Sequence, residues 1–151
     1  MSTNGEHDIK LLDRDELDAW RGMLRAHAEL TRALDAELTA THGLPLSSYE
    51  VLLFVGDAPE GRMRMSELAD SVLLSRSGLT RLVDRLERAG LIERVQCNED
   101  ARGYFAQITP AGRELFDRAR RTHLAGVRRL FLDRFSRDEL RELGGLWERL
   151  T

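Results

Sequence analysis

The densest run of chemistry-bearing side chains in this 151-residue chain is Ser75-Arg76-Ser77-Gly78-Leu79-Thr80-Arg81-Leu82-Val83-Asp84-Arg85-Leu86-Glu87-Arg88. Wound as a helix at about 100° per residue from Arg76, it places Leu79, Leu82, Val83 and Leu86 between roughly 240° and 340°. Ser77, Thr80, Arg81, Asp84, Arg85 and Arg88 fall between roughly 40° and 180° on the same wheel. One side is core; the other offers hydroxyls and guanidiniums, which donate to phosphate oxygens and to guanine N7 and O6 in a major groove. Ser75, at the N-cap, also turns free backbone N–H groups toward an anion. Gly78 costs about 1 kcal/mol against alanine inside a helix, which points to a close approach at that position. Asp84 and Glu87 oppose phosphate, but they fall in the later turns, within reach of Arg88 or Arg81. The first turns are therefore the reading turns.

A second group follows. Two short extended runs, 91–95 and 104–108, flank the polar loop 96–103 and read as a β-hairpin. Arg102 stands near its tip with Asp100 two residues before it. An arginine on such a loop fits a minor groove, where A·T stretches concentrate negative potential, and the carboxylate can brace it.

Other chemistries are poorly supplied. His7, His27, His42 and His123 are the only histidines, and none has a nucleophile, a phosphate-cradling loop or an HExxH pattern beside it. No enzyme, cofactor or metal is expected. Cys97 is the single cysteine, so it forms no internal disulfide and no thiolate-rich metal site. The longest apolar run, 51–55, is far short of the ~20 residues of a membrane span, and the first residues carry no secretory pattern. A cytoplasmic protein with no membrane partner is expected. Net charge is −3, yet residues 61–113 hold nine arginines against seven acids, a local +2 inside an envelope of −5. Lys10 is the only lysine, so nearly every cation is a guanidinium suited to planar anions.

The elements that must position these groups follow from periodicity. Residues 1–12 are polar and patternless, a flexible tail. Apolar positions from Asp13 to about His42 recur every three or four residues, giving a long amphipathic helix ended by Gly43 and Pro45. Ser47 to Glu50 forms a capping box before a second helix that is apolar nearly all round. Ser66 caps a short third helix, Leu73-Leu74 makes a tight break, and Ser75 caps the fourth. After the hairpin, Thr109-Pro110 opens a helix running to about Phe131, and Ser136 with Glu139 caps the last. The order is ααααββαα: a mainly α winged helix-turn-helix with a small β-hairpin wing. Leu140, Leu143, Leu146, Trp147 and Leu150 form a terminal apolar stripe with nothing after it to cover it, and the first helix has a similar surplus. Two-fold pairing buries both.

Ser66-Glu67-Leu68-Ala69, the run from Leu74 to Ile92, Asp100-x-Arg102 and Ile108-Thr109-x-x-Gly112 resemble the MarR (multiple antibiotic resistance regulator) family. The resemblance spans roughly residues 13 to 150. It implies a homodimer formed by 13–45 and 109–150, with a winged lobe at 46–108, a helix-turn-helix at about 66–89 and a wing at about 91–108. It further implies a transcriptional regulator, commonly a repressor, on a pseudo-palindromic operator in double-stranded DNA. Ser75, Arg76, Ser77, Thr80, Arg81 and Arg85 match recognition-helix positions, Arg102 matches the wing arginine, and Arg62 and Arg64 are candidate backbone contacts. Leu73 replaces a turn glycine, and Gly103 stands where an acid often follows the wing arginine. Relief by a small molecule, such as a phenolic anion, held between dimer helices and winged lobe is the family's commonest implication. Trp20, His27, Tyr49 and His123 offer rings and donors for it, though each is more simply a packing residue, and the effector-binding residues stay unknown. Two alternatives stand beside this reading: redox control through Cys97, although peroxide-responsive members carry their cysteine near the first helix, and a winged protein-contact module without DNA binding.

Overall fold

The computed structural model describes residues 9–72, 75–97 and 103–151. Residues 1–8, the Leu73-Leu74 break and loop residues 98–102, with Asp100 and Arg102, lie outside the described residues.

Helix α1 (Arg14–His42) begins on a reciprocal cap. Asp13 Oδ1 accepts from the Glu16 amide and Glu16 Oε2 from the Asp13 amide, each at 2.9 Å. It ends where Gly43 turns left-handed at φ 64°. Helix α2 (Leu46–Asp57) starts two residues earlier than expected. Pro45 precedes its first turn, and the Leu46 N–H donates to Asp35 Oδ1 of α1 at 2.8 Å, so no Ser47 capping box forms. A carboxylate from a neighbouring helix supplies what a local hydroxyl would have. Ser48, Tyr49, Val51, Leu52, Val55 and Gly56 are buried, as an all-round apolar helix requires.

Between α2 and the short α3 (Met65–Ser71) lies an element that periodicity did not show: strand β1 (Arg62–Arg64). It pairs antiparallel with β3 (Tyr104–Ile108), which pairs with β2 (Ile92–Gln96), giving the order β1-β3-β2. Pairing of Arg64 with Phe105 holds residue 64 extended, so α3 begins at Met65. Ser66 lies inside its first turn and caps nothing. Helix α4 (Arg76–Arg88) is capped by Ser75, whose Oγ accepts from the Gly78 N–H at 3.1 Å. Helix α5 (Pro110–Leu130) opens on Thr109 and a first-turn proline, and α6 (Arg137–Trp147) on the Ser136–Glu139 capping box.

The core gathers around α2. Leu38 of α1, Leu68 of α3, Leu79 and Val83 of α4, Ile92 and Ala106 of the sheet, and Phe116 and Ala119 of α5 are all at most 2% exposed. Two details set its geometry. At the foot of the sheet, Leu91 O accepts from Thr109 N–H at 3.1 Å, and Thr109 Oγ1 donates to Gly90 O at 2.6 Å. Gly112 sits against the same carbonyl, so closely that an added Cβ would lie 2.1 Å from Leu91 O. Deeper in, the Tyr49 ring packs 4.6 Å from that of His123 and 5.6 Å from that of Phe116. His123 Nδ1 is buried without a hydrogen-bond partner among the described residues, and burial pulls the His123 pKa below the ordinary 6.5.

Two predictions follow from these contacts. Gly112→Ala should lower unfolding free energy by about 1–3 kcal/mol although alanine is the better helix former, because backbone blocks the new methyl. Gly126→Ala meets only the tips of Glu37 and Leu34, which can swing away, and should stay near neutral. Urea midpoints at constant slope compare the two. For His123, the unfolded chain binds the proton more readily than the folded one. Stability is therefore full above pH 6.5 and falls as pH drops below it. Urea titrations at stepped pH should show this decline in the parent and a flatter one in His123→Phe.

Candidate nucleic-acid interface

Helix α4 divides as its spacing requires. Leu79, Leu82, Val83 and Leu86 are buried, while Ser77, Thr80, Arg81, Arg85 and Arg88 are exposed. Arg81 and Arg85 form no ion pair among the described residues, which leaves both guanidiniums facing solvent on the helix's outer side. At the N-terminus, Ser75 Oγ lies 3.3 Å from Ser77 Oγ and closes the first turn. Gly78 is explained locally: a Cβ there would stand 3.0 Å from the capping Ser75 Oγ.

The acids behave differently from the sequence expectation. Asp84 and Glu87 pair with neither Arg88 nor Arg81. Both are taken by Arg94 of β2, whose Nη2 lies 2.7 Å from Asp84 Oδ1 and whose Nη1 lies 3.0 Å from Glu87 Oε1. The Arg94 amide donates to the other Glu87 oxygen at 3.0 Å. Arg88 instead donates from Nε to the Asp84 carbonyl at 3.3 Å. Sequence spacing could not reveal Arg94, because its partners are on another element.

Arg62 and Arg64 lie on β1 over the Phe105 ring, their guanidinium carbons 4.8 and 5.6 Å from its centre. Arg62 also pairs with Glu60 at 2.7 Å. Both are thereby held beside the start of α3. Other cations of the locally basic segment serve the scaffold: Arg113 donates to Gly56 O at 2.7 Å. On the hairpin, the Cys97 N–H donates to Gly103 O at 3.0 Å, and Cys97 is only 4% exposed.

The ring-bearing residues proposed to line one cleft do not converge. Tyr49 is buried in the core with the half-buried His123 ring against it, and Trp20 is 53% exposed on α1. His27 instead opens on a groove of about 910 Å³ between α1, the start of α2 and the end of α3, with Arg32, Asp35, Glu50 and Phe54. Burial raises the Glu50 carboxyl above its ordinary value. His42 Nε2 lies 2.8 Å from Thr122 Oγ1, so the three described histidines sit at three separate places.

Residues 42–103 match the model of the MarR family. Across 94% of its length the chain superposes on AbsC of Streptomyces coelicolor, a MarR family transcriptional regulator, with a TM-score of 0.90, 34% identity and 95% of that chain covered. The DNA complex of Sco3205, another MarR family regulator from the same organism, gives a TM-score of 0.90 at 32% identity, covering 94% of this chain and 89% of that one. The HTH-type transcriptional repressor YetL of Bacillus subtilis is 27% identical over 116 residues, 74% of this chain and 69% of that protein. One-third identical to two such regulators along nearly its whole length, and alike in fold, this chain belongs to the MarR family of winged-helix transcriptional regulators.

Proposed function

We propose that the protein binds double-stranded DNA sequence-specifically as a homodimer, on a pseudo-palindromic operator, and represses transcription until a small molecule relieves it. The outer face of α4 carries this reading. Ser77, Thr80, Arg81 and Arg85 stand exposed on a helix whose opposite face is buried, the arrangement that lets a helix enter a major groove. Ser75 and Arg76 open that helix, Arg62 and Arg64 on β1 are assigned to phosphate contacts, and Arg102 and Asp100, which lie outside the described residues, are assigned to the minor groove and to its support. The similar Sco3205 has a solved DNA complex, which supports the reading of this chain as a DNA binder.

Pairing of two chains has its own support. Helix α6 has no buried residue, and Leu146, Trp147 and Leu150 are 41%, 43% and 73% exposed. An isolated helix of eleven residues is marginal in water, so its apolar stripe needs a covering surface. Residues 13–45 and 109–150 supply it from a second copy, with Trp20, Leu24 and Leu124 as further exposed apolar groups. The groove at His27 is the effector's place: Leu46 and Phe54 offer apolar walls and Arg32 a cation, which suits an aromatic anion. Burial of Cys97 shields its thiol and favours ligand control over redox control. No described helix is long and apolar enough to cross a membrane. A regulator that binds the chromosome would act in the cytoplasm.

Fluorescence anisotropy on DNA upstream of the protein's own gene, with salt and random competitor titrated in, tests the central claim. Competitor-resistant binding with a steep salt slope is expected, and binding that competitor erases on selected duplexes too would overturn it. Arg81→Ala should weaken specific binding by about 1–3 kcal/mol. Arg102→Ala should cost more on A·T-flanked sites than on G·C-flanked ones; equal losses would remove the minor-groove role. Leu146→Asp with Trp147→Asp should halve the mass seen by sedimentation and weaken operator binding together, since only a dimer spans two half-sites.

A further inference from the structure

On the helical wheel of α4, Asp84 and Glu87 stand near 80° and 20°, on the same side as the reading groups Thr80 and Ser77. Two carboxylates there would face the phosphates of any duplex seated on α4. The structure shows both drawn to one guanidinium. Arg94 reaches Asp84 with one terminal nitrogen and Glu87 with the other, and its own amide occupies the remaining Glu87 oxygen. The Arg94 side chain is 21% exposed, half the 43% of each acid, so the cation lies beneath its partners rather than out toward solvent. Its backbone is fixed by pairing with Ala106 in the sheet.

We propose that Arg94 is a positioning residue for DNA binding: a clamp that neutralises Asp84 and Glu87 on the recognition helix and ties the root of the wing to it. The proposal rests on the DNA-binding reading above and deepens it. Arg94 acts through the two acids rather than by touching DNA. The forked guanidinium gives each carboxylate its own terminal nitrogen, whereas an ammonium would have to share a single nitrogen between them.

The test is binding of the full-length protein to a duplex that it selects from a random pool, against unselected duplex, over a salt series. Arg94→Gln should lose about tenfold in affinity, because two unmasked carboxylates then repel the backbone. Asp84→Asn/Glu87→Gln should bind at least as well as the parent. The triple variant Asp84→Asn/Glu87→Gln/Arg94→Gln should return to within about threefold of it, a recovery that a residue needed only for folding would not show. Arg94→Lys, which keeps the charge and the stem, should fall between parent and Arg94→Gln. A triple variant as weak as Arg94→Gln overturns the clamp and makes Arg94 a direct DNA contact or a purely structural residue. A parent that binds selected and unselected duplex alike overturns the DNA-binding reading, and the clamp's role with it.

Discussion

The approach of the Gly112 backbone to the Leu91 carbonyl decides where the outward-facing parts of this molecule point. Leu91 joins the end of α4 to the first residue of β2, and Gly112 lies in the first turn of α5. The Leu91 carbonyl also accepts from Thr109, whose hydroxyl reaches Gly90. One peptide group thus ties α4, β2 and the long α5 into a single joint. Backbone contacts of this kind have no soft side chain to yield, so the angle between α4 and α5 is set almost rigidly. In a dimer joined through α1, α5 and α6, the same angle would govern the separation of the two recognition helices.

Charge is distributed according to what lies within reach in space, not along the chain. The arginine-rich middle segment reads as a basic patch, yet its members divide. Arg94 neutralises two acids on α4, Arg113 holds a carbonyl at the end of α2, and Arg62 and Arg64 lie across Phe105. Arg81 and Arg85 remain outward. The net positive balance of the segment therefore understates how selective the surface is. A few cations face outward, and the rest keep the elements that carry them in place. Folding also separates the described histidines: one packs half-buried against Tyr49, one lies at the α1–α5 contact and one on the groove wall.

The face of α4, the Ser75, Thr109 and Ser136 caps, the Gly43 stop and the β2–β3 hairpin were all legible in the sequence. Each rests on interactions between residues a few positions apart, where residue type and spacing carry the physics. The errors share the opposite character. Ser47 and Ser66 looked like caps, but a carboxylate on α1 and a strand pairing with Phe105 set those helix starts. Strand β1, three residues long, has too little periodicity to show itself and exists because β3 offers it an edge.

The same division holds for function. By itself the sequence determined a helix with one apolar and one guanidinium-rich face, an adjoining hairpin, and apolar surplus at both ends of the chain, because amphipathic spacing is a local property. Only the tertiary structure decided which arginine answers Asp84 and Glu87, which rings share the core, and which histidine borders a groove. Those outcomes depend on contacts between elements distant in sequence, and such contacts are settled by how helices and sheet pack against α2.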